Sequence, residues 1–256
     1  MLRKTVVMLL VKEIKRYEPI GSGILVFHDG KVLVVSAAHV LEQTAKSKNV
    51  YLFAGGDLFS LNGVISYLLP LNSRITSRRD DAIDIGAFIV PDTMVEKING
   101  SVNFVQSELI EKGKDYEHIQ FYQAIGFPAA KNLRHSNKSA ISGKPFIPEC
   151  VIYSGKSVTY ELDSNYRFAK DVNIEIEYNG KHAFDDDGKK VNTPDLHGLS
   201  GGLIQGCFDY MPHSNGFYHT CASGMLIEMG SRKKSLIGVR FGIIYEWLDL
   251  HSDKIK

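Results

Sequence analysis

A chain of 256 residues is long enough for one large domain or two small ones, each with a core of its own. Its 44% apolar and 23% charged residues are ordinary for a soluble globular protein, and a net charge of +1 argues against nucleic acid or an anionic membrane as partner. The three cysteines, Cys150, Cys207 and Cys221, include no Cys-x-x-Cys pair and no metal-ligand spacing.

Met1–Lys4 followed by Val6–Val11 has the outline of a signal peptide, but Lys12-Glu13-Ile14-Lys15-Arg16 stands where small residues would be cleaved. Val6–Val11 therefore reads as a first β-strand. The clearest hairpin follows: Gly23–His28, the turn Asp29-Gly30, and Lys31–Val35. Val40–Ala45 reads as one helical turn. Further strands are expected at Val50–Ala54, Gly63–Leu68, Ile83–Val90 and His118–Gly126, with a polar connection near Gln106–Asp115. Lys131–His135 and Arg232-Lys233-Lys234 read as solvated loops, and Asp185-Asp186-Asp187-Gly188 as a turn without the ligand spacing of a calcium loop. In the second half, strands are placed at Ser157–Leu162, Val172–Tyr178, Leu203–Phe208, Phe217–Glu228 and Leu236–Ile244, with a helix at Tyr245–Leu250. Many short strands with few helices argue for barrels or sandwiches. No segment approaches the ~20 apolar residues of a membrane span. The cysteines read as buried reduced thiols, with a Cys207–Cys221 bridge as the alternative, and the expected location is the cytoplasm.

Three short stretches carry chemistry. Ser200 stands among glycines in His197-Gly198-Leu199-Ser200-Gly201-Gly202, where the backbone can turn sharply and aim N–H groups into one concavity. His39 ends the run Ser36-Ala37-Ala38-His39 after the apolar Val32–Val35. Asp84 lies in the apolar Ile83–Val90, with Asp80 and Asp81 as rivals that precede the run. A serine nucleophile needs an imidazole to take its proton, and imidazole titrates at about 6.5; it also needs a carboxylate to hold that imidazole in one tautomer. His197 lies too near Ser200 along the turn to be the base and reads as loop structure.

Taken together, these motifs resemble those of the trypsin-like, chymotrypsin-fold serine peptidases, in their bacterial, HtrA-like branch without a PDZ domain. Ser36-Ala37-Ala38-His39 is similar to the family's Thr-Ala-Ala-His, Ile83-Asp84-Ile85-Gly86 to its Asp-Ile-Ala, and Gly198-Leu199-Ser200-Gly201-Gly202 to its Gly-x-Ser-Gly-Gly. Gly21-Ser22-Gly23 and Gly126-Phe127-Pro128 match two further family positions. The resemblance implies an all-β fold of two six-stranded antiparallel β-barrels with a short C-terminal helix. Residues 1–112 would carry His39 and Asp84, and residues 113–256 would carry Ser200. The stretch from Asp84 to Ser200 is long for the family, and the excess is assigned to an inserted loop near 160–191.

The resemblance also implies the roles: Ser200 as nucleophile, His39 as base and then acid, Asp84 as its orienter, and the N–H groups of Gly198 and Ser200 as oxyanion hole. Leu199 replaces the acidic residue that pairs with a newly cut N-terminus in trypsin itself, so that route of activation is not expected. The substrate pocket is assigned to Pro194 and Asp195, to Ala222, Ser223 and Gly224, and to Arg240 on the strand Gly238–Gly242. Asp195 would favour a basic side chain and Arg240 an acidic one, and both specificities stay open. The expected partner is a polypeptide substrate. The alternatives are a latent or catalytically silent protease-fold protein that needs a regulatory protein partner, and, less favoured, an α/β-hydrolase esterase, whose Asp and His would have to follow the serine.

Overall fold

Alternating and continuous apolar runs become strands throughout the chain. The computed structural model describes residues 2–13, 16–47, 49–61, 67–68, 82–111, 118–142, 145–158, 168–179, 182–185, 187–191, 196–208, 219–229 and 235–255. In chain order the first half forms β1 (Val6–Glu13), β2 (Arg16–His28), β3 (Lys31–Ala37), α1 (Ala38–Lys46), β4 (Val50–Ala54), β5 (Asp57–Ser60), β6 (Tyr67–Leu68), β7 (Ile85–Ile89) and α2 (Asp92–Ile98). The second forms β8 (Ile119–Gly126), α3 (Ala129–Ser142), β9 (Val151–Gly155), β10 (Asn173–Glu177), β11 (Ala183–Phe184), β12 (Leu203–Phe208), β13 (Thr220–Met229), β14 (Ser235–Arg240), α4 (Phe241–Leu250) and α5 (Ser252–Ile255).

These strands build two antiparallel sheets, ordered β5-β4-β1-β2-β3-β7-β6 and β10-β14-β13-β12-β8-β9-β11. Each holds six strands of four residues or more, plus a two-residue segment, β6 or β11, at one edge. Asp29 (φ 48°) and Gly30 (φ 75°) take the left-handed conformations that a two-residue hairpin turn requires, and this sets the register of β2 on β3.

Period-two alternation decides which core each residue enters. On β1, Val7 and Leu9 pack inside the first sheet with Leu25, Val34 and Val40. Met8 and Leu10 point the other way, into a core shared with the second sheet that includes Val35, Ile85, Leu203, Met225, Val239, Phe241 and Trp247. A third cluster, with Tyr122, Tyr153, Ile204 and Leu226, fills the second sheet.

Several segments differ from their sequence-based expectation. Lys131–His135 is not a loop but part of α3, whose Asn132 side chain is fully buried and bonds Pro128 O, Glu149 O and the Glu149 N–H. The helix after Ser36–Ala37 runs to Lys46, and α2 was not foreseen. The last strand stops at Arg240, and Phe241 to Ile244 belong to α4. The stretch assigned to an insertion contains sheet: β10 pairs with β14 and buries Ile174 and Ile176, and β11 pairs with β9. Asp185 makes the expected turn, its carboxylate accepting from the N–H groups of Asp187 and Lys189 at 3.1 and 2.8 Å. Residues 62–66, 112–117, 159–167 and 232–234, on which parts of other expectations fell, lie outside the described residues. Among the described residues, no helix is long and apolar enough to cross a membrane.

The three cysteines are free and buried. Burial, then the neighbouring Cys221, pushes the Cys207 thiol from its ordinary 9.0 up to about 12. Burial, then Glu111, pushes the Tyr122 hydroxyl from 10.0 up to about 12. Both groups hold their protons in the fold at a pH where the unfolded chain has lost them. Their contribution is complete below the ordinary values and lost as the pH rises toward 12. Melting temperature should therefore fall steadily from about pH 9 upward; a flat profile to pH 11 would contradict this.

Candidate functional site

Pairing of β3 with β7 sets Ala37 opposite Ile85, so the residues just beyond these ends, His39 and Asp84, are brought together. His39 lies in the first turn of α1. Asp84 is buried at 4% exposure and has φ 40°, a left-handed conformation that Asp tolerates better than most residues. Its Oδ2 lies 2.6 Å from His39 Nδ1, its Oδ1 accepts the His39 backbone N–H at 3.1 Å, and its carbonyl accepts the Ala38 N–H at 2.8 Å. The carboxylate thus satisfies a backbone donor at the start of α1 while it fixes the ring. With Nδ1–H donated to the carboxylate, Nε2 is the nitrogen left to accept a proton. The imidazole remains about a third open to solvent, at 36%. Asp80 and Asp81 lie outside the described residues.

Residues 196–202 form the facing turn. Its carbonyls are anchored from several sides: His197 O accepts the Ala129 N–H at 2.7 Å, at the start of α3, and Leu199 O accepts the Gly202 N–H at 2.8 Å. Gly198 O accepts the Ser22 hydroxyl at 2.9 Å, and Ser200 O accepts the Ser22 N–H at 2.9 Å. Gly201 donates to Leu226 O at 2.7 Å, which ties the turn to β13. Gly201 has φ 84°, and a Cβ there would meet Ser22 O at 2.0 Å and Ser36 Oγ at 2.3 Å, so no side chain fits. Among the described residues, the N–H groups of Gly198 and Ser200 have no acceptor. Nor does a hydrogen bond join Ser200 Oγ to the His39 ring. Leu199 is 2% exposed, packed in the second-sheet core.

Of the expected pocket residues, Ala222, Ser223, Gly224 and Arg240 are among the described residues. Pro194 and Asp195 fall outside the described residues. Ala222, Ser223 and Gly224 are buried inside β13, with Ala222 opposite Gln205 and Gly224 opposite Ile204. A buried strand interior cannot wall an open cleft. The part of β13 at the turn is Leu226, which bonds both Gly201 and Gly202, followed by Ile227, Glu228 and Met229. Arg240 pairs with Glu111, Nη1 to Oε1 at 3.0 Å, and its Nε–H donates to Lys170 O. Glu111 is 7% exposed and its N–H holds Ala222 O, so this ion pair is committed to structure. Met229, 43% exposed, and Ile83, 38% exposed beside Asp84, are apolar surfaces that no sequence pattern singles out.

No family model and no curated protein sequence matches this chain. Solved structures do. The serine protease domain of the Sesbania mosaic virus polyprotein superposes with a TM-score of 0.51 at 13% identity, over 96% of this chain and 92% of that one. The fold is that of the chymotrypsin-like serine proteases. A second Sesbania mosaic virus structure, from work on how aromatic interactions drive coupled folding and binding of its intrinsically disordered VPg protein, gives 0.51 at 14% identity, over 96% and 90%. The serine endoprotease from Yersinia pestis gives 0.50 at 10% identity and covers 97% of this chain, which spans 62% of that one. At such identities the likeness reaches the chymotrypsin-like architecture, and the chemistry has to be argued from the side chains.

Proposed function

We propose that the protein is a serine endopeptidase of the HtrA-like type, active on polypeptides without metal or cofactor. The observation that carries this reading is the 2.6 Å contact between His39 Nδ1 and the buried Asp84 carboxylate, in the same sheet to which the Ser200 turn is tied through Ser22. His39 Nε2 takes the Ser200 hydroxyl proton as Oγ attacks the peptide carbonyl. The N–H groups of Gly198 and Ser200 receive the oxyanion, and His39 returns the proton to the leaving amine. Water then cleaves the acyl-enzyme by the same steps. Residues 1–112 supply base and orienter, and residues 113–256 supply nucleophile and donors. Three buried free thiols fit a reducing compartment, and we place the protein in the cytoplasm.

The test is labelling of the purified protein with a fluorophosphonate probe. Wild type should label, and His39→Ala should not. Labelling that survives in His39→Ala would sink the mechanism. A second reading has its own observation: Ser200 Oγ and the His39 ring are not hydrogen-bonded in the structure. Catalytic hydrogen bonds are often long in free enzymes and tighten on binding. Under this reading a polypeptide partner closes the gap, and folded wild type labels only in its presence.

A further inference from the structure

Ser22 is fully buried in β2, far in sequence from the turn it touches, and it makes more bonds than its place in a sheet requires. β2 pairs with β3 only from Ile24 onward, so the backbone of Ser22 on that edge is available to groups outside the sheet. Its N–H donates to Ser200 O at 2.9 Å, and its hydroxyl donates to Gly198 O at 2.9 Å. The same hydroxyl oxygen accepts the Phe127 N–H at 2.9 Å, at the entrance to α3. The Ser36 hydroxyl donates to Ser22 O at 2.7 Å and fixes the donor itself.

The consequence is directional. In a trans peptide the C=O of one residue points opposite the N–H of the next, so Ser22 fixes the Gly198–Leu199 and Ser200–Gly201 peptide planes. These two planes bracket the Leu199–Ser200 peptide and adjoin the His197–Gly198 peptide, the units that carry the two candidate donors. The N–H groups of Gly198 and Ser200 themselves have no acceptor among the described residues. A swing of the Gly198 carbonyl would cost the Ser22 hydroxyl its acceptor and release the peptide plane that joins the two donor-bearing peptides. With Leu199 buried among apolar groups, an ion pair at that position is not what orders the turn.

We propose that Ser22 is a positioning residue for the oxyanion donors: its hydroxyl and N–H hold the peptide planes of the Gly198–Ser200 turn from within the fold, without a cleavage event to order them. The proposal deepens the peptidase reading and rests on it for the catalytic consequence.

Two measurements on Ser22→Ala test it. The first is the fluorophosphonate labelling rate, since the phosphonyl oxygen needs the same two donors. It should fall by about 10²-fold, the loss expected when an oxyanion donor is misplaced, while the melting curve stays cooperative. The second is amide hydrogen exchange followed by NMR. The amide of residue 22, bonded to Ser200 O, and the amide of Phe127 should lose protection, while those of β1 and β12 keep theirs. Unchanged labelling with unchanged protection at residue 22 would overturn the proposal, because the turn would then stand without the hydroxyl. If wild type itself fails to label, the peptidase reading fails, and the exchange data still decide whether Ser22 holds the turn. Ser22→Thr, which keeps the hydroxyl, should recover protection at Phe127; a merely space-filling role would not distinguish it from Ser22→Ala.

Discussion

Ser200→Ala is expected to leave hydrolysis about 10⁶-fold down, near the residual set by binding and the oxyanion donors alone, with stability within about 0.5 kcal/mol of the parent. Both halves of that expectation come from the same geometry. The turn is held through the Ser200 backbone, whose carbonyl takes the Ser22 N–H, and through Gly201 and Gly202. The hydroxyl has no hydrogen bond to lose among the described residues. Removing it deletes the nucleophile and no support. Matched melting curves and turnover of an activated peptide ester would check this. Retained turnover in Ser200→Ala would move the chemistry to another group.

Asp84→Asn is expected to slow the reaction by about 10⁴-fold in a folded protein. Asn also accepts a left-handed φ, and its carbonyl can still take the His39 N–H, so the junction of β3 with α1 survives. The amide nitrogen, however, would face Nδ1 where the carboxylate now accepts. That forces the proton onto Nε2, and the ring can no longer serve Ser200 as a base. Tautomer assignment by nitrogen NMR shifts, beside the rate, separates this cause from misfolding. A loss of only a few-fold would mean that Asp84 matters for the helix start and little else.

What the sequence made legible follows from how each element is stabilised. β1, the second half of β2, and β3 are apolar runs, and Asp29-Gly30, a turn with few conformational alternatives, made the β2–β3 pairing readable. α3 was not. Its buried positions are Ala129, Asn132 and Ser136, at helical spacing but two of them polar, and it is held by side-chain bonds to Tyr17 and Glu149 that no hydrophobic period reveals. The end of β14 was hidden for the opposite reason, since Leu236–Ile244 is apolar almost throughout and the switch to helix leaves the composition unchanged. At the site, His39 and Asp84 were legible because each ends a strand and those strands pair. The pocket assignment turned on register. β13 starts at Thr220 and bonds the Ser200 turn through Leu226, two residues past Gly224, and only the ladder shows this. Ser22 stood within a recognised motif, yet its bonds cross from one sheet to the other and lie beyond any local pattern.

The shared core has a consequence for how the protein is made. The first sheet is complete by Ile89, before any strand of the second, which begins at Ile119, has been synthesised. Its outer face carries Met8, Leu10, Ile24, Val26, Leu33, Val35 and Ile85, which find cover only when Leu203, Met225, Val239 and Trp247 arrive. A nascent chain therefore presents a preformed apolar wall for most of its synthesis, the kind of surface that recruits chaperones or pairs with a neighbouring copy. Truncation after the first sheet should yield aggregates, because half of this molecule is an unfinished surface.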